Sequence, residues 1–107
     1  MTADDRYRLS NSDAAAAAFR AVADRARAER RLKAFAVASR WIVEELARTP
    51  SEFGESREHL ADAGIVMRCG FARPVYVEYG VHADSRTVFL RRFELLPPTP
   101  EETSPAR

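Results

Sequence analysis

Ile65-Val-Met-Arg-Cys-Gly-Phe71, Val75-Tyr-Val-Glu-Tyr-Gly-Val81 and Thr87-Val-Phe-Leu-Arg-Arg-Phe-Glu-Leu-Leu96 are three runs separated only by Ala72-Arg-Pro74 and by His82 to Arg86. Each run is rich in β-branched and aromatic residues and changes character with period two, the pattern of a strand. Links this short join antiparallel neighbours, so 65–96 is predicted to be a three-stranded meander. The alternation puts Ile65, Met67, Cys69 and Phe71 on the core face of the first strand. Val75, Val77, Tyr79 and Val81 follow in the second, and Phe89, Phe93 and Leu95 in the third. Arg91 interrupts the last set, as the extra residue of a β-bulge does. The opposite face then shows Arg68, Tyr76, Glu78, His82 and Arg92.

Working outward, Arg6-Tyr-Arg-Leu-Ser10 alternates and reads as a short strand that needs the meander to pair with. Asn11-Ser-Asp13 places N-cap residues ahead of the alanine run Ala14–Ala18, a strong helix former. From Asp13 to Arg48 there is neither Gly nor Pro. Apolar residues recur there at helical spacing: Phe19, Val22, Ala23 and Ala26, then Leu32, Phe35, Ala36, Ile42, Val43 and Leu46. One unbroken helix of this length would be ~54 Å long at ~1.5 Å per residue. A domain of this size has a radius of gyration of only ~13 Å. The stripe weakens at Arg27-Ala-Glu-Arg-Arg31, so a turn is predicted there between two packed antiparallel helices. The second stops before Pro50, whose ring excludes Thr49 from the helical region. Thr49 to Gly64 is acidic and aperiodic and reads as a connection, tacked to the core by Phe53 and Leu60. Four of the six prolines fall after Leu96. The expected organisation is one α+β domain over residues 1–96 and a disordered Pro-rich tail over 97–107, with residues 1–5 loose.

Composition bounds the function. The chain has 107 residues, 31% charged, with a net charge of +1, so affinity for a polyanion has to come from local clustering. Cys69 is the sole cysteine, which rules out an intramolecular disulfide and a Cys-based zinc cluster. The spacing of His, Asp and Glu suits no metal, and no cofactor is expected. No window reaches the ~18–20 apolar residues of a membrane span, and the opening Met-Thr-Ala-Asp-Asp-Arg has no signal-peptide pattern, so a cytoplasmic chain is expected.

The arginines of the outer sheet face admit two readings. One is a solvated surface of cross-strand ion pairs. The other is a phosphodiester site, where arginines hold a phosphate and Glu78 or His82 moves a proton. Val37 and Trp41, one turn apart, read either as a wide core face or as an exposed ridge for a partner. The basic run Arg25-Ala-Arg-Ala-Glu-Arg-Arg-Leu-Lys33 is a solvated helix face or a contact for RNA backbone.

The order strand, two helices, meander resembles the RelE/ParE superfamily of toxins from type II toxin–antitoxin pairs. The segment Arg68-Cys-Gly-Phe-Ala-Arg73-Pro-Val-Tyr-Val-Glu-Tyr-Gly-Val81 is similar to that family's strand arginine, tight turn and second arginine opening an Arg-x-Val-Tyr strand. Val88-Phe-Leu90 resembles its last strand. The resemblance implies a sheet packed on a helical hairpin and makes Arg73 the phosphate-binding arginine with Arg68 a second cation. RelE-like members cut messenger RNA in the ribosomal A site without a metal, by attack of a ribose 2′-hydroxyl; ParE-like members poison DNA gyrase. The implied candidates are Arg73, Arg68, Glu78, His82 and Arg92 for catalysis, with Val37 and Trp41 for a cognate antitoxin. Beyond the last strand, where ribonuclease members carry basic residues, stands Leu96-Pro-Pro-Thr-Pro-Glu-Glu. That keeps a non-catalytic binding protein open beside the nuclease.

Overall fold

The computed structural model describes residues 6–60 and 63–99, without the side chains of 58–60. Its elements are β1 (Arg8–Asn11), α1 (Asp13–Ala28), α2 (Leu32–Arg48), β2 (Glu55–Leu60), β3 (Ile65–Ala72), β4 (Val75–His82) and β5 (Thr87–Leu95). The five strands form one mixed sheet in the order β1-β5-β4-β3-β2, with β1 parallel to β5 and the remaining pairs antiparallel. The α+β class and the helix pair stand as expected. The strand count does not: the meander has four strands, because 55–60 pairs with β3 where a plain connection was expected. Glu55-Ser-Arg-Glu-His-Leu60 has little strand propensity of its own. It is an edge strand, and charged residues there are what keeps an edge from pairing with other chains.

The helices form where caps and periodicity placed them. Ser12 caps α1, its hydroxyl accepting from the Ala15 N–H at 3.0 Å. At the turn between the helices, the Arg31 N–H donates to the Ala26 carbonyl at 2.7 Å while Arg30 takes a left-handed φ of 59°. This is the six-to-one closure that usually recruits glycine. α1 packs chiefly on β5, and Phe19 bridges Phe35 of α2 (5.2 Å between centroids) and Phe93 of β5 (5.1 Å). Ala26, Leu46, Val77, Tyr79 and Val88 are wholly buried at the centre of this layer.

Register corrects the face assignment of β3. Directly opposed residues of an antiparallel pair share a face. Val75, Val77, Tyr79 and Val81 of β4 are buried as expected, and their partners in β3 are Ala72, Gly70, Arg68 and Val66. Ile65, Met67, Cys69 and Phe71 therefore lie on the outer face, opposite His82, Gly80, Glu78 and Tyr76, and Phe71 is 58% exposed. A one-residue choice of phase inverts every side chain of a strand. The more apolar set lost because Gly70 on the inner face leaves room for the Phe53 ring, which a Cβ at that position would meet at 2.7 Å. In β5 the irregularity falls between Leu90 and Arg92, at Arg91 as expected. It puts Val88 and Leu90 inward on one side and Phe93 and Leu95 inward on the other. Phe89, expected in the core, pairs with Gly80 on the outer face and is 38% exposed.

Candidate functional site

The candidate residues fall into three places. The first is the inner end of β3. Arg68 lies beneath the loop after α2, where its guanidinium donates to the carbonyls of Phe53 (3.3 Å) and Gly54 (2.9 Å). The Tyr79 hydroxyl donates to the same Phe53 carbonyl and to that of Pro50. Burial pushes the Tyr79 phenol upward, against the opposing pull of Arg68. Arg68 thus binds the α2–β2 loop to the sheet; the face it was expected to share with Glu78 is the opposite one.

The second place is the outer face of the sheet. Tyr76 donates to the Glu78 carboxylate at 2.9 Å, and Arg92 approaches that carboxylate at 3.7 Å and Glu94 at 2.5 Å. Burial, and then the hydrogen bond to Glu78, push the Tyr76 phenol up to about 12. Cys69 is half-buried nearby, with Arg57 at 3.9 Å from its sulfur. Cross-strand pairs of this kind were one of the two readings of the face. His82 stands away from them at the far end of β4. Its Nδ1 accepts from the Ser85 N–H at 3.2 Å, closing the β4–β5 turn.

The third place is a shallow groove of about 770 Å³ between the start of α2 and the β3–β4 turn. Its lining includes Arg30, Arg31, Lys33, Val37, Trp41 and Arg73, with no carboxylate among the described lining residues. The α1–α2 turn presents Arg30, and the first turn of α2 presents Lys33; Arg31 lies between them with its side chain only 10% exposed and paired with Glu29 at 3.2 Å. One and two turns further, Val37 (64% exposed) and Trp41 (47%) form an open apolar wall. Trp41 is fixed from behind by Phe53, ring edge to face at 5.6 Å. Arg73 closes the groove from the sheet side, and its Nη2 donates to the Pro97 carbonyl at 2.8 Å. Two sites that looked separate in sequence, the arginine expected to bind phosphate and the Val37–Trp41 ridge, therefore share one surface. The basic run 25–33 supplies the cations between them. Sequence gave no sign of that junction, since it depends on the β3–β4 turn lying beside the start of α2.

The groove can bind a chain of phosphates and stack a planar group on the indole. Its lining holds no imidazole or carboxylate to move a proton, among the described residues. Among those residues too, no group of His, Cys, Asp and Glu is placed to hold a metal ion, and no helix is long and apolar enough to cross a membrane. Comparison with protein-family models, curated proteins and solved structures found no match to this chain.

Proposed function

We propose that this chain is a RelE/ParE-like toxin of a type II toxin–antitoxin pair that acts by gripping RNA in the groove around Arg73, a binding protein more than a nuclease. One observation carries the reading: the arginine that the resemblance makes phosphate-binding shares a groove with Arg30, Arg31, Lys33 and the exposed Trp41. Guanidinium and ammonium groups neutralise phosphates, and an exposed indole stacks an unpaired base, worth about 1–3 kcal/mol per base. Ribosome-bound messenger RNA presents both features. An antitoxin laying an apolar segment on Val37 and Trp41 would cover the same groove and exclude the target.

The nuclease reading asks for more. Attack by a 2′-hydroxyl needs a group within hydrogen-bond reach to take its proton. Glu78 and Arg92 are engaged on the outer face, and His82 closes a turn at the other end of β4. Arg68 is committed to the Phe53 and Gly54 carbonyls. Gyrase inhibition, the remaining activity in the family, asks only for a binding surface.

Inducible expression in a bacterial host tests this. Growth arrest is expected, lost in Arg73→Ala and in Trp41→Ala, without new 5′ ends on messenger RNA. Specific cleavage abolished by Arg73→Ala restores the nuclease. Loss of DNA supercoiling activity in a gyrase assay moves the target to that enzyme. Harmless overexpression overturns the toxin reading altogether.

A further inference from the structure

We propose that this chain self-associates as a two-fold symmetric dimer through the exposed face of α2, each copy seating its basic groove on the acidic cleft of the other. Three observations on that face converge. First, α2 leaves apolar side chains in solvent. Phe35, Ala38, Ile42 and Leu46 fill the core, while Val37 and Trp41 stand exposed on the far side. Phe53 backs the Trp41 ring, so the indole is held out as a rigid anchor of the kind that dominates interfaces.

Second, charge divides about this ridge. Toward the N-terminal end of α2 lie Arg30, Lys33 and Arg73, all exposed; toward its C-terminal end lie Glu44, Glu52 and Glu55, also exposed. Glu45 and Arg48 are paired with each other at 2.6 Å and cancel. Arg40 is level with the ridge and favours neither end.

Third, the pattern complements itself. Lys33, Val37, Trp41 and Glu44 recur at i, i+4, i+8 and i+11, one stripe of the helix. Position 39 is midway between Val37 and Trp41, with Lys33 ~9 Å before it and Glu44 ~8 Å after it. A two-fold axis crossing α2 there lays two copies antiparallel. Val37 then meets Trp41 of the other copy and Lys33 meets its Glu44, each contact made twice, as an isologous interface requires. The same rotation brings the side of Arg30 and Arg73 over the side of Glu52 and Glu55. A foreign partner would have to match both ends; a second copy does so by symmetry. One helix face with its flanking depressions is a small interface, so dissociation is expected on the order of 10–100 µM.

Sedimentation equilibrium of the full chain across roughly 1 µM to 1 mM brackets that range. The mass should double with concentration, and Trp41→Ala should weaken association about tenfold or more. Lys33→Glu and Glu44→Lys each set like charges against one another at both contacts and should each weaken it about tenfold. Mixed together, these two variants should form a heterodimer at least as tight as the wild-type pair, because every contact is then complementary. Circular dichroism checks that each variant is folded. A monomer throughout leaves the ridge to another partner and overturns the proposal. So does a dimer indifferent to all three substitutions, or a mixture that fails to associate. Growth beyond a dimer overturns the two-fold form.

A second arm rests on the RNA reading above. The dimer covers the groove, so a labelled oligouridylate should drive wild-type dimers to monomers as it binds. Binding that leaves the dimer intact overturns the seating of the groove on the cleft. If the oligonucleotide does not bind while the charge-swapped mixture still pairs, the dimer stands and the RNA reading fails.

Discussion

Arg68 and Arg73 are five residues apart and look interchangeable in sequence, yet their surroundings assign them different work. Arg68 satisfies two backbone carbonyls in a loop covered by Phe53 and Trp41. Removing a partner from such carbonyls costs about 1–3 kcal/mol. Arg68→Ala should therefore lower the unfolding free energy by that amount, read as a lower denaturant midpoint at unchanged m. Arg73→Ala, at an exposed position with one bond to Pro97, should stay within about 0.5 kcal/mol of wild type. Equal losses in equilibrium unfolding would mean that the two arginines are not divided in this way. Tyr76 gives a second residue-scale expectation. Its folded pKa of about 12 lies above the ordinary 10.0, so the folded state resists ionisation that the unfolded chain undergoes. Stability from this group is full below about pH 10 and is lost as pH rises toward 12. Tyr76→Phe should flatten part of that alkaline decline in unfolding curves recorded from pH 8 to 12. An unchanged slope counts against the Tyr76–Glu78 bond. The burial of Tyr79 acts in the same direction, so some decline remains.

The α1–α2 turn shows how an element is built and what it costs. Arg30 holds a left-handed φ of 59°, where a side chain carries a penalty of roughly 1 kcal/mol that glycine avoids. Arg30→Gly should raise stability by up to about 1 kcal/mol in equilibrium denaturation while weakening any polyanion binding. A destabilised variant would place the value of Arg30 in packing instead. The loop before β2 predicts the reverse. Gly54 has φ 73°, and a Cβ there would meet the Cys69 carbonyl oxygen at 2.2 Å, backbone against backbone. Gly54→Ala should cost more than about 2 kcal/mol and release the edge strand first, visible as fast amide exchange in 55–60. The same two places divide what the sequence disclosed from what it did not. Helices, turn, three strands and the bulge at Arg91 were legible because periodicity and capping are local. β2 was not, because its residues become a strand only by pairing with β3. The phase of β3 was misread for a related reason. Alternation alone cannot weigh the gap at Gly70 or the carbonyls waiting for Arg68, both supplied by a loop fifteen or so residues away. The candidate site followed the same rule, its members legible singly and their union visible only in three dimensions.

At the scale of the whole molecule, a net charge of +1 hides a strong separation. Trp41 is a ridge between two depressions. On one side lies the basic groove, and on the other a cleft of about 700 Å³ lined by Glu45, Glu52 and Glu55. Opposed patches of this kind orient an approaching polyanion even when the total charge is near zero. If binding follows the groove, its salt dependence should count the groove's cations and not the molecule's. Single-stranded nucleic acid loses affinity with a log–log slope of about −0.7 per phosphate neutralised, so the three exposed cations Arg30, Lys33 and Arg73 give about −2. Lys33→Ala or Arg73→Ala should each make the slope shallower by about 0.7. Fluorescence anisotropy of a labelled oligonucleotide between about 50 and 300 mM salt, where the Debye length falls from roughly 14 to roughly 6 Å, resolves these differences. A slope near zero, or one that neither substitution changes, would remove phosphate contacts from the groove's function.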